Sequence, residues 1–138
     1  MEHHANIVPW HFLRERMGVV LKWVDVAEDG SLDPQAVIDV ISPRTKMIAI
    51  THMSNVLGTV VDVKTIIAAA HDKGVVVCAD GSQATVHMPV NVADLGADFY
   101  AITGHQLYGT TGFGPTYTHS ETPTLDPLSM GAGAADAG

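Results

Sequence analysis

Short apolar runs alternate with amphipathic stretches along this chain, and the alternation predicts its elements in order. Residues from about Asn6 to Met17 read as a helix, with Asn6 as its N-cap and Pro9 in the first turn, where proline is tolerated. Gly18 ends it. The run 19–26, rich in branched side chains, reads as a strand, and Glu28-Asp29-Gly30 as a turn. Asp33 followed by Pro34 opens a helix to about Ile41. The strand 47–51, a loop from Ser54 to Thr59 and a helix over 62–73 follow, with Asp62 as cap and Gly74 as stop. Next come a strand over 75–80, an irregular segment through Leu95 and a strand over 98–102. A last strand over 113–118 is expected to run antiparallel to the others. Alternating strands and helices of this kind predict an α/β protein, a mostly parallel sheet with helices on both faces.

Composition narrows the classes. The 138 residues suit one domain, and the 46% apolar content suits a globular core. Residues 1–120 form the expected folded part. From Glu121 the chain turns polar and then Gly/Ala-rich, and 121–138 read as a loose tail with too little apolar bulk to pack. Fifteen acidic residues against seven basic ones leave a net charge of −8, with no basic cluster for nucleic acid. No apolar stretch is long enough to span a membrane, and the first residues lack the pattern of a signal peptide. Cys78 is the only cysteine, which rules out an internal disulfide, and its apolar strand context suits a small buried hydrophobe. A cytoplasmic location is the corresponding expectation.

Two strand ends carry the chemistry. Asp80-Gly81-Ser82-Gln83-Ala84 and Thr103-Gly104-His105-Gln106-Leu107-Tyr108-Gly109 both fall where strands of an open parallel sheet present ligand sites. Taken alone, Asp80-Gly81 is also an ordinary turn pair, and the neighbouring His3 and His4 an ordinary solvated pair. A metal site would need a third ligand at a recognised spacing, and none is present.

With Glu2-His3-His4-Ala5-Asn6-Ile7-Val8-Pro9-Trp10 and Thr51-His52-Met53-Ser54-Asn55-Val56-Leu57-Gly58-Thr59, these strings resemble class-V aminotransferase-like enzymes. The match is best to the cysteine desulfurase/selenocysteine lyase branch. The resemblance implies part of the large domain of a fold-type-I enzyme that uses pyridoxal 5'-phosphate (PLP). It implies that Asp80 pairs with the pyridine N–H, that His3 stacks on the ring and moves protons, and that Asn55 and Gln83 contact the 3-oxygen side. Thr103 and His105 would grip the phosphate. The implied activity is removal of sulfur or selenium from cysteine or selenocysteine, leaving alanine. The family's homodimers, its sulfur-acceptor proteins and its place in iron–sulfur cluster assembly are implied with it.

The departures bear on function. Gln106 stands where the family has its Schiff-base lysine, and a carboxamide is not nucleophilic. Pro115 falls in the last strand, and the family's upstream Gly-Thr-Thr loop and its persulfide-forming cysteine are absent. The chain therefore reads as a central piece of a larger enzyme, inactive alone. A non-catalytic binding or interaction module, or another class-V activity, are the alternatives.

Overall fold

The computed structural model describes residues 1–119, so the expected tail over 121–138 lies outside the described residues. Its centre is a four-stranded sheet of β1 (Met47–Thr51), β2 (Val76–Asp80), β3 (Phe99–Ala101) and β4 (Thr116–Thr118), in that spatial order. The pairs β1–β2 and β2–β3 are parallel, and β4 runs antiparallel to β3. The register sets Thr51 beside Asp80 and Asp80 beside Ala101, so the carboxyl ends of the three parallel strands are level.

Why these segments pair follows from what each buries. Val77 and Ala79 of β2 are fully buried on one face, where α3 (Val63–His71) lays Ile66, Ile67 and Ala70 against the core. The alternate residues Val76, Cys78 and Asp80 are only half-buried, so the second face is less fully covered. Asp62 caps α3, its carboxylate accepting from the Thr65 backbone N–H at 3.1 Å and its hydroxyl at 2.7 Å. Asp33 caps α2 (Pro34–Asp39) in the same way through the Gln35 N–H. Both caps are where the sequence puts them, although α2 is shorter than expected.

Three expectations need correction. The run 19–26 is not a strand. Among the described residues no neighbouring strand takes its backbone groups, and an extended segment becomes a strand only by pairing. Its Trp23 stacks on His11 instead. Asn6 does not cap α1 (Val8–Met17). It closes a one-turn 3-10 helix, His4–Asn6, donates to Glu2 at 2.7 Å and accepts from the Trp10 indole at 3.3 Å. The segment expected to be irregular holds two four-residue helices, α4 (Ala84–His87) and α5 (Val92–Leu95). Single turns like these are set by their caps and by tertiary contact rather than by periodicity.

Candidate active site

The site begins at the end of β2. Gly81 hydrogen-bonds across to the Ala101 carbonyl at 2.8 Å, so the chain cannot leave the sheet until after Asp80. A Cβ on Gly81 would fall inside the Tyr100 ring, which is why only glycine fits there. Beyond it the Ser82 N–H turns back onto Asp80 Oδ1 at 3.0 Å, leaving Oδ2 without a bond among the described residues. Behind this turn, the buried His52 Nδ1 lies 2.8 Å from the Tyr100 hydroxyl. Burial lowers the His52 imidazole below its ordinary value and raises the Tyr100 phenol well above its own, so both stay neutral at physiological pH.

The second strand end is built around another close approach. Gly104 donates to the Phe113 carbonyl at 3.0 Å, and a side chain at 104 would press on that same oxygen. The 3-10 turn Gly104–Leu107 that follows carries His105 and Gln106, and Tyr108 closes it in a left-handed conformation at φ 63°. Thr103 enters this turn with its hydroxyl 2.7 Å from that of Ser82, which joins the two strand ends.

The N-terminal residues meet these ends through Glu2. One of its oxygens accepts from the Thr51 N–H at the tip of β1 at 2.8 Å, and the other from Asn6. Burial raises the Glu2 carboxyl above its ordinary value, against these two hydrogen bonds and with a small contribution from nearby Asp80. His3 is thereby held at the cleft edge, with its Nδ1 accepting from the Ala5 N–H at 3.2 Å.

His3, Asn55, Asp80, Gln83, Thr103, His105 and Gln106 thus line one cleft of about 300 Å³, although they come from four separate stretches of chain. His3, Asn55 and His105 are exposed, and the other four half-buried. Thr51, Met53, Ser82 and Ala5 also line it, and sequence reasoning assigned them no part. Ser82 could have been found, since a hydroxyl two residues after a strand-end carboxylate must share its turn. Glu2 had no such signal, because its partner is 49 residues away. Cys78 lies outside the lining, and burial, followed by the Asp80 and Glu2 charges, pushes its thiol up to about 11. A thiol so protonated is a poor nucleophile.

A parallel sheet whose level strand ends carry a carboxylate, paired hydroxyls and an imidazole defines an α/β protein with a polar cleft at its carboxyl edge, the place where open sheets of this kind bind ligands. The family is shown by comparison. Residues 1–137 match the class-V aminotransferase family, and the chain belongs to it. A probable cysteine desulfurase of Xylella fastidiosa (strain Temecula1) is 45% identical over 133 residues, 96% of this chain and 32% of that protein. A cysteine desulfurase of Klebsiella pneumoniae (strain 342) is 50% identical over 121 residues, 88% of this chain and 30% of that protein. The crystal structure of the Escherichia coli cysteine desulfurase CsdA (S-sulfonic acid) superposes with a TM-score of 0.82 at 39% identity, covering 91% of this chain and 33% of that one. The chain spans about a third of the length of the curated relatives it matches.

The family is PLP-dependent, and the donor set fits that cofactor in all respects but one. Asp80 offers a carboxylate oxygen with no other partner among the described residues, and Ser82, Thr103 and His105 offer hydroxyl and imidazole groups suited to a phosphate. None of the lysines lines the cleft. Lys64 pairs with Asp94, while Lys22 and Lys73 reach backbone carbonyls elsewhere.

Proposed function

We propose that the chain supplies the ring- and phosphate-binding part of a PLP pocket of the cysteine desulfurase type and does not desulfurate cysteine by itself. The observation that carries this reading is the convergence of His3, Asn55, Asp80, Gln83, Thr103 and His105 on one cleft. Asp80 holds the proton on the pyridine nitrogen, His3 covers the ring, and Asn55 and Gln83 lie toward its 3-oxygen. Thr103, Ser82 and His105 orient the phosphate. PLP, when bound, supplies an electron sink. The chain's own part is to bind and orient it.

Gln106 favours a non-catalytic role over another class-V activity, because it cannot bond to the aldehyde. The only cysteine is a protonated strand residue outside the cleft, so no thiol is placed to receive sulfur. In the complete enzyme type the remaining functions are a homodimer, sulfur transfer to an acceptor protein, service to iron–sulfur cluster assembly and a cytoplasmic location.

Restoring the lysine tests the reading. Gln106→Lys mixed with PLP should gain a visible absorption band that borohydride abolishes, and mass spectrometry should place the reduced cofactor on residue 106. Asp80→Ala in that background should weaken binding by about tenfold or more, as expected for loss of a charge-assisted hydrogen bond. Failure of Gln106→Lys to gain any site-specific band would overturn the reading, as would turnover of cysteine by the unmodified chain.

A further inference from the structure

The most specific unexplained feature of the cleft is Gln106 itself. Its Oε1 is the one buried side-chain oxygen or nitrogen without a hydrogen-bond partner among the described residues, and the same residue lines the cleft. A buried acceptor with no donor is costly, and the long, flexible glutamine side chain can relieve the cost by turning toward a donor in the cleft. Two backbone donors near it are committed, the Ser82 N–H to Asp80 and the Gly104 N–H to Phe113, and the Ser82 and Thr103 hydroxyls use one of their two protons on each other. A ligand in the cleft can supply the missing donor.

We propose that Gln106 makes this a site for the amine form of the cofactor, pyridoxamine 5'-phosphate, in preference to the aldehyde. The inference rests on the reading of the cleft as a vitamin B6 phosphate pocket and names the form that it takes. Two independent arguments lead to the same form. The aldehyde of PLP owes part of its hold in a lysine-bearing pocket to a covalent bond, and Gln106 removes that bond. An aldehyde oxygen is also only an acceptor, so it leaves Oε1 unpaired. The 4'-ammonium group of pyridoxamine phosphate is a charged donor and pairs with the carboxamide oxygen. Asp80 and the hydroxyl pair serve both forms alike, so they contribute affinity without discrimination. Gln106 is thus a specificity-determining residue, and no covalent step is involved.

The test is equilibrium dialysis of the full chain, in buffer free of amines, against pyridoxamine 5'-phosphate and 4-deoxypyridoxine 5'-phosphate. The second ligand has a methyl group where the first has its amine and so lacks the donor. The amine should bind about tenfold more tightly, the scale of one charge-assisted hydrogen bond to a buried acceptor. Gln106→Leu should bring the ratio close to one by weakening the amine alone. Gln106→Glu should keep or widen the preference, because a carboxylate also accepts from the ammonium. Equal affinity of the parent chain for the two ligands would overturn the proposal while leaving the pocket reading intact, and so would a ratio unchanged in Gln106→Leu. Binding of neither ligand would overturn both.

Discussion

His52 shows how a single buried side chain ties the site to pH. Its ring is almost fully enclosed, bonded to the Tyr100 hydroxyl and directly behind the Asp80–Gly81 turn. Burial holds its pKa below the ordinary 6.5. Between that depressed value and 6.5 the unfolded chain binds a proton that the folded chain does not, so stability falls as the pH drops below about 6.5. The slope for one such proton is at most about 1.4 kcal/mol per pH unit. Glu2 acts in the opposite sense. Its raised pKa means that stability falls as the pH rises from its ordinary value of 4.5 through the folded value. Denaturant titrations between pH 5.5 and about 7.5 should show the His52 slope, and His52→Gln should flatten it. A flat profile in the parent chain would contradict this assignment.

At the scale of elements, α3 and α1 differ in what holds them. Burial of Val63, Ile66, Ile67 and Ala70 stabilises α3 from the core side, and the Asp62 cap stabilises its first turn. No residue of α1 is buried, and its nearest partner is the 3-10 turn that precedes it. Such a helix depends on propensity and on the Glu2–Asn6–Trp10 hydrogen bonds rather than on packing. Hydrogen exchange should therefore find the amides of α1 opening well before those of α3. Asp62→Ala should cost about 1 kcal/mol, read from the denaturant midpoint, because it frees the Thr65 N–H. Uniform protection across α1 and α3 would refute the contrast.

The whole molecule leaves a broad apolar surface around α1 and the segment after it. Val8, Phe12, Met17, Val19, Val20, Trp23 and Val26 are all exposed, with Met17 at 73% and Val20 at 74%. Exposed apolar side chains in such numbers favour association. Among the described residues no strand pairs with the outer edge of β1, and Glu2 bonds it only at the Thr51 end. The chain should self-associate in a concentration-dependent manner, and Phe12→Ser with Trp23→Ser should reduce the association. Sizing chromatography with light scattering reads this directly. A sharp monomer peak at all concentrations, with cooperative thermal unfolding, would show that these surfaces do not drive assembly.

Several features were legible in the sequence because they are local. Asp33-Pro34 and Asp62 mark helix starts through their own side chains, and the apolar runs ending at Thr51, Asp80 and Ile102 mark buried parallel strands, the last of them one residue longer at each end than the β3 that forms. The strings around His3, Asn55, Asp80 and His105 carried the family, and Gln106 its missing lysine, because identity and order along the chain suffice for both. Tertiary structure alone decided what depends on partners distant in sequence. Residues 19–26 have strand-like composition but no strand beside them, and Asn6 is drawn from its expected cap to Glu2. Glu2 itself joins the site only because β1 brings Thr51 to it, and Ser82 only because β3 brings Thr103 alongside. The orphaned oxygen of Gln106 belongs to the same category. Composition dictates which hydrogen bonds a residue can make, but only the fold determines which of them are left unmade.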